Sequence, residues 1–153
     1  MIKDRAVVGL TGTYFVAAEL SQLGYIATVT SRNTRGIDLL ASNREGTKTV
    51  SIQVKTSRAE NVSRKWHISK KQENLHSDQL FYVFVDLKQN QKPDFYIVPS
   101  KEVAEYIKGE HEEWLKTPGR GGRKHKDTDM RFFEILDEKD IPKYFNRWDL
   151  LGL

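Results

Sequence analysis

Three polar side chains between residues 38 and 55 have the types and spacing of a hydrolytic site. Asp38 interrupts an otherwise apolar run over residues 36–41. Gln53 and Lys55 stand two positions apart in an alternating run over residues 49–56, so both side chains point to one face of a predicted strand. If the two runs form neighbouring strands of a hairpin, the three side chains meet in one patch.

A fourth polar residue, Glu19, lies on a predicted helix upstream of this patch. Glu19 follows Phe15 by four residues and precedes Leu23 by four, which places its carboxylate beside an apolar stripe formed by Val16, Leu20 and Leu23. A charge next to a stripe that faces a sheet is costly unless it is paired or bound to a metal. Glu19 is therefore a candidate second carboxylate, which can hold a metal through water.

Metal-assisted phosphodiester hydrolysis is the chemistry that uses such a set. Carboxylate and amide oxygens are hard ligands suited to Mg²⁺, with Mn²⁺ as a substitute. The metal polarises a phosphate and lowers the pKa of a bound water, and a nearby lysine orients that water or stabilises the developing charge. The sequence thus predicts an Mg²⁺ site around Asp38 and Gln53, with Lys55 beside it.

The elements that must position these residues form an α/β or α+β arrangement. Periodicity and turn signals predict a sheet with helices packed on it, including a fully buried central strand in an apolar run. A helix is predicted over Thr13–Leu23 and another from about Lys101 to Leu115, capped by Ser100. Strands are predicted over Tyr25–Thr30, Ile37–Ala41, Thr49–Thr56, Leu80–Leu87, Asp94–Val98 and Arg131–Leu136, with Thr117–Asp129 as a loop.

The order of these residues resembles the PD-(D/E)xK nuclease superfamily, in its Gln-x-Lys form. That group includes Holliday junction resolvases and methylation-dependent restriction endonucleases. The resemblance rests on Glu19, Gly36-Ile37-Asp38 and Gln53-Val54-Lys55. It implies a restriction-endonuclease-like αβββαβ core, with a mixed central sheet flanked by helices.

The resemblance also implies a role for each residue. Asp38, Gln53 and the backbone carbonyl of Val54 would be metal ligands, Lys55 the catalytic lysine, and Glu19 the helix carboxylate. Two departures are present: Ile37 replaces the usual proline, and Gln53 replaces the usual acid. Loss of one negative charge at Gln53 is expected to weaken Mg²⁺ affinity.

Basic residues flank the proposed site and occupy one later loop. Such groups can contact phosphates, and their position favours a nucleic-acid partner, DNA in the first instance. The alternative is an ordinary solvated charged surface. The candidates are Arg32, Arg35, Arg58, Arg64, Lys65, Lys70 and Lys71 around the site, and Arg120, Arg123, Lys124 and Lys126 in the acid-free loop that begins at Lys116.

Composition sets the limits of these interpretations. The 153 residues carry a net charge of +4 and no cysteine, which predicts a single domain over residues 1–153 and excludes disulfide scaffolds, thiolate zinc sites and cysteine nucleophiles. The sequence has no Walker A pattern, and its longest apolar runs are too short for a membrane span. We expect a cytoplasmic protein without membrane contact.

Several alternatives remain open at the level of sequence. Asp38 can pair with Arg35 in a turn, Gln53 and Lys55 can be solvated strand positions, and Glu19 can be a surface residue. The leading hypothesis is an Mg²⁺-dependent endonuclease that hydrolyses DNA. The others are a non-catalytic nucleic-acid-binding module and a protein-interaction subunit that keep the fold, and a homodimer is compatible with each.

Overall fold

The computed structural model describes residues 4–31, 36–58 and 64–153. Within these ranges, no helix is long and apolar enough to cross a bilayer. Short 3₁₀ turns also occur at Lys70–Asn74, Arg120–Gly122, Glu138–Asp140 and Trp148–Leu151. The main elements in chain order are α1 (Arg5–Gln22), β1 (Ile26–Val29), β2 (Leu39–Ser42), β3 (Thr49–Ser57), β4 (Lys65–Ser69), β5 (Leu80–Asp86), β6 (Asp94–Pro99), α2 (Ser100–Lys116), β7 (Met130–Glu134) and α3 (Ile141–Tyr144).

A five-stranded mixed sheet forms the centre of the fold, with the strand order β1-β2-β3-β5-β6. Strands β3 and β5 run parallel, and the other neighbouring pairs run antiparallel. The predicted central strand is confirmed, because every residue of β5 is buried. The hairpin of β2 and β3 is also confirmed. Leu39, the first residue of β2, lies opposite Ile52.

Each face of the sheet carries its own apolar core. On one face, Val16 and Leu20 of α1 pack against the even-numbered residues of β3. On the other face, α2 and a two-stranded ribbon of β4 and β7 cover β5 and β6, with Trp66 fully buried among aromatic rings. The alternation of β3 therefore sends Val50, Ile52 and Val54 towards α1 and the intervening polar side chains towards the α2 face.

Helix α1 begins eight residues before the predicted start at Thr13. The N-cap is Asp4, whose carboxylate accepts a hydrogen bond from the Ala6 amide. The hydroxyls of Thr11 and Thr13 donate to carbonyls four residues earlier, so the Thr-Gly-Thr segment continues the helix rather than starting it. The buried apolar stripe of α1 ends at Leu20 rather than at the predicted Leu23. Leu23 is the C-cap residue and is 50% exposed.

Two further differences concern the segments around β5. No element is predicted between Thr56 and Leu80, yet this stretch contains β4, which pairs antiparallel with β7. Ser100 does not cap α2 as predicted. It lies inside the helix, where its hydroxyl donates to the Ser77 carbonyl and accepts from the Ser77 amide.

The packing of α1 on β3 predicts opposite effects for two alanine substitutions in one helix. A Cβ added at Gly12 would lie 2.0 Å from Thr56 Oγ1, whereas a Cβ at Gly9 meets nothing within 4 Å. We expect Gly12→Ala to lower the free energy of unfolding by about 1–3 kcal/mol through overpacking. Gly9→Ala should raise it by about 0.5–1 kcal/mol, because alanine loses less entropy in a helix. Urea unfolding of both variants checks this, and equal effects would contradict the packing.

Candidate active site

Asp38 lies at the entry to β2, where its backbone is held from both sides. Its amide donates to the Ile52 carbonyl over 2.8 Å, and its carbonyl accepts from the Thr30 amide over 3.0 Å. Gly36 precedes it with a φ of +71°, a conformation that glycine adopts without steric cost. The Asp38 side chain is thus placed by a rigid backbone between β1 and β3.

The Asp38 carboxylate binds the edge of β3 directly. Its Oδ2 accepts a hydrogen bond from the Val54 amide over 2.7 Å. The N–H and C=O groups of one strand residue face the same neighbouring strand, so the Val54 carbonyl points to this side of β3 as well. Pairing with β2 has ended at Ile52, which leaves the Val54 carbonyl at the same edge as the Asp38 carboxylate.

Gln53 and Lys55 share the opposite face from α1, as the alternation of β3 predicts. Their neighbours in register on β5 are Tyr82 and Phe84, which belong to the α2-side core. Gln53 is only 6% exposed, and its Oε1 has no hydrogen-bond partner among the residues that the structure describes. Leaving a buried carbonyl-type oxygen unsatisfied lowers the free energy of unfolding by about 1–3 kcal/mol. The Gln53 Oε1 is therefore expected to bind a cation or a water.

Lys55 is mostly enclosed, and its environment changes its protonation. Burial lowers the pKa of the Lys55 ammonium below its ordinary value, and the nearby Asp38 carboxylate opposes this shift without cancelling it. The two charged groups therefore lie close enough to interact. Lysines whose pKa is lowered by burial next to a specific charged partner are more frequent at functional sites than elsewhere.

Tyr82 is a polar neighbour of Gln53 that sequence reasoning missed. It stands opposite Gln53 in the β3–β5 register, and its hydroxyl is buried without a partner within the described ranges. Burial raises the pKa of this hydroxyl, so it stays a neutral donor. The tyrosine is hidden in the apolar run of β5, whose composition indicates only a core strand.

Glu19 is not joined to this group by any contact within the described residues. Its carboxylate instead binds Lys92, whose Nζ lies 2.9 Å from each of its two oxygens. Glu19 also belongs to the α1 layer, on the opposite side of the sheet from Gln53 and Lys55. The negative charge of Glu19 is thus paired with Lys92, in the loop between β5 and β6. A role for Glu19 in holding a metal stays a prediction.

The candidate basic residues differ in their availability to a ligand. Arg32 and Arg35 lie outside the described residues. Arg64, just before β4, and Arg58, just after β3, are both half-buried. The Arg58 Nη1 is buried without a partner within the described ranges. Lys65 is engaged with Glu134 and Lys70 with Asp127. Among these candidates, the exposed bases with no ion pair to the described residues are Lys71, Arg120, Arg123, Lys124 and Lys126.

The donor set suits a hard divalent cation with few protein ligands. The described residues contain no cluster of three or more His, Cys, Asp or Glu side chains that can hold a metal. Asp38 supplies one carboxylate, Gln53 an unsatisfied amide oxygen and Val54 a backbone carbonyl, all from adjoining positions of β2 and β3. Mg²⁺ keeps several waters and binds through one or two carboxylates plus phosphate oxygens, so this set fits it.

Comparison with known proteins gives matches in structure and none in sequence. No family model and no curated protein sequence matches the chain. A bacterial homing endonuclease, I-Ssp6803I, superposes with a TM-score of 0.56 and 13% identity, covering 99% of this chain and 94% of the other. The Holliday junction resolvase Hjc of Archaeoglobus fulgidus gives a TM-score of 0.52 and 12% identity, covering 94% and 95%. The chain has the restriction-endonuclease-like fold.

The restriction-endonuclease-like fold accounts for the order of the site-bearing elements. The predicted α/β class and the mixed central sheet are confirmed, with α1 on one face and α2 on the other. In the described residues, the second helix follows β6 rather than preceding β5, and β4 with its 3₁₀ turn occupies the earlier position. The resemblance to PD-(D/E)xK nucleases rests in sequence on Glu19, Asp38, Gln53 and Lys55, and the structural matches support it at the level of the fold.

Proposed function

We propose that this protein is an Mg²⁺-dependent endonuclease that hydrolyses phosphodiester bonds in DNA. The proposal is carried by three polar groups on and beside β3. They are the Asp38 carboxylate bound to the Val54 amide, the enclosed lysine Lys55 with its lowered pKa, and the unsatisfied Gln53 amide oxygen. A structural ion pair makes no use of an unsatisfied amide oxygen, whereas a bound cation can take it as a ligand.

Each residue has a role that follows from its position. Asp38, the Gln53 Oε1 and the Val54 carbonyl would hold the cation. When bound, Mg²⁺ supplies Lewis-acid polarisation of the phosphate and a more acidic water. The Val54 amide fixes the orientation of the Asp38 carboxylate through its 2.7 Å hydrogen bond. Lys55 follows Val54 on β3 and is largely removed from solvent. Its ammonium would stabilise the negative charge that builds on the phosphate oxygens.

DNA as the substrate is supported by charge and by the structural neighbours. The free bases of the Lys116–Lys126 loop offer contacts for a phosphate backbone, which are independent of sequence. The two superposed structures are a homing endonuclease and a Holliday junction resolvase. At 12–13% identity they support the fold, and the substrate of this chain is our inference.

The proposal is tested with a panel of substrates and metals. Supercoiled plasmid, linear duplex, branched DNA and RNA are incubated with Mg²⁺, with Mn²⁺ and with EDTA. We expect cleavage of at least one DNA substrate that requires the divalent ion. Salt-dependent DNA binding with no cleavage under any condition would favour the non-catalytic binding module, and neither activity would favour the protein-interaction subunit.

Gln53 provides a prediction that separates metal binding from turnover. Gln53→Glu restores a carboxylate with almost the same shape, so we expect a lower melting temperature in EDTA and a larger increase on adding Mg²⁺ than in the wild type. Gln53→Leu should instead stabilise the protein in EDTA, because it removes the unsatisfied oxygen, and should respond less to Mg²⁺. Thermal unfolding of the three proteins with and without Mg²⁺ checks this. An identical response in all three would exclude Gln53 as a ligand.

A further inference from the structure

A pocket of about 280 Å³ lies between α2 and β7, away from the strand edge that carries Asp38. Its walls come from one face of α2 and from the outward face of β7. The volume is close to the ~300 Å³ lower end of small-molecule pockets, which is room for one ring system rather than a large ligand. The floor of the pocket includes the buried core residue Ile107, whereas Trp114, 40% exposed, and Met130, also exposed, are open to solvent.

The walls of this pocket combine flat aromatic surface with hydrogen-bond acceptors. Tyr106, Trp114 and Phe132 supply the aromatic side chains. Two carboxylates, of Glu110 and Glu134, reach the same space. Glu134 is engaged with Lys65, whereas Glu110 has no hydrogen bond or ion pair within the described part of the chain. A planar group that carries N–H donors suits such a pocket, and nucleobases with exocyclic amines are groups of this kind.

The loop that carries Lys124 and Lys126 is held against one wall of the pocket by ring stacking. The His125 ring stacks on Trp114 with 4.0 Å between ring centroids, which docks the Lys116–Lys126 loop against α2. A hydrogen bond of 2.8 Å from the Gly119 amide to the Arg123 carbonyl closes the loop. The neighbours of His125 in sequence, Lys124 and Lys126, are exposed and without ion pairs within the described residues. A loop of this charge favours an anionic ligand and disfavours a basic peptide.

We propose that the pocket receives a single unpaired nucleobase from a DNA strand whose phosphates lie along the Lys116–Lys126 loop. Aromatic walls would contact the base, Glu110 would accept from its amino group, and the loop would contact the flanking phosphates. The proposal rests on the proposed function in that it assigns DNA as the partner. It adds a preferred substrate class, namely DNA with an extruded or unpaired nucleotide.

Binding without cleavage tests this proposal, using the full chain in EDTA. Three duplexes of equal length are compared: fully paired, with one bulged cytosine, and with one bulged abasic site. Intrinsic fluorescence reports on the pocket, because Trp114 is the exposed tryptophan while Trp66 and Trp148 are buried. We expect the bulged cytosine to bind about tenfold more tightly than the abasic bulge, equivalent to ~1.4 kcal/mol, with quenching of Trp114.

Variants assign the preference to the pocket. Glu110→Gln should reduce the preference for cytosine over the abasic bulge to less than about threefold, because the amide is a poorer acceptor for the cytosine amine. Glu112→Gln, an exposed residue of the same helix outside the pocket, is the matched control and should keep the preference. Trp114→Phe should abolish the quenching.

The outcomes separate this inference from the proposed function. Equal affinity for the cytosine and abasic bulges would overturn the pocket assignment and leave the nuclease proposal intact. Loss of preference in Glu112→Gln as well as Glu110→Gln would overturn it too. A failure to bind any of the three duplexes at low salt would instead count against DNA as the substrate and so against both proposals. Binding of free deoxycytidine monophosphate as tightly as the bulged duplex would show a nucleotide pocket rather than a site for a strand.

Discussion

Replacement of Asp38 by asparagine is expected to reduce Mg²⁺-dependent DNA cleavage by about 100-fold or more and to leave the fold intact. Asparagine keeps the volume and an oxygen that can accept from the Val54 amide, so the 2.7 Å contact to β3 can persist. The substitution removes the negative charge of Asp38, which is the only carboxylate in the proposed ligand set. Loss of a comparable electrostatic contact in other active sites costs ~10²–10³ in rate. Single-turnover cleavage of plasmid DNA at saturating Mg²⁺ measures the effect.

The control for this variant is another aspartate outside the site. Asp149 is exposed and pairs with Arg147 near the end of the chain, so Asp149→Asn alters a surface charge without touching β2 or β3. We expect it to cleave at the wild-type rate. Full activity of Asp38→Asn would show that Asp38 is a structural residue. A large drop in its melting temperature would show that lost activity comes from misfolding rather than from chemistry.

Replacement of Lys55 by methionine should abolish cleavage and at the same time raise the stability of the protein. Burial lowers the pKa of Lys55, which means that the folded state disfavours its charged form. Methionine keeps the length of the side chain and removes the buried charge. Cleavage should fall by at least ~100-fold, because the charge that stabilises the phosphate is lost. The melting temperature should rise by ~2–4 °C for each 1 kcal/mol gained, as expected for a chain of this size.

The pH dependence of this stability difference has a definite sign. Below its ordinary pKa of 10.5, the unfolded chain binds a proton at Lys55 more readily than the folded chain does. Wild-type stability therefore rises with pH between the lowered folded pKa and 10.5, so the advantage of Lys55→Met narrows over that window. Lys108→Met, an exposed position on α2, is the matched control and should change neither cleavage nor this pH dependence. A loss of stability in Lys55→Met at neutral pH would contradict the account.

The local pattern of β3 was sufficient to predict much of the site. A period of two placed Gln53 and Lys55 on one face, and the register with Tyr82 and Phe84 confirms that face. The apolar run of β5 identified a central strand from its composition alone. Asp38 stood out because an acid inside an apolar run requires a partner, and the partner is the backbone of the neighbouring strand.

The remaining features depend on contacts that are distant in sequence. The sequence shows that Glu19 lies beside the apolar stripe of α1 but does not identify its partner. That partner is Lys92, which is 73 positions away. Strand β4 was missed because its partner is β7, at the far end of the chain, and a five-residue strand of this composition has little local signal. Tyr82 could not be distinguished by sequence from an ordinary core aromatic, because its place opposite Gln53 depends on the β3–β5 register and its hydroxyl is buried without a partner among the described residues.

The most direct test of the central claim is to locate a divalent ion in the protein. Crystals grown with Mn²⁺, which replaces Mg²⁺ and scatters anomalously, give the position of the ion without reference to activity. We predict an anomalous peak at bonding distance, roughly 2.0–2.3 Å, from an Asp38 carboxylate oxygen, the Gln53 Oε1 and the Val54 carbonyl. Saturating Mn²⁺ that leaves no peak at this edge of β3, or that gathers only at other carboxylates, would contradict the assignment of this site.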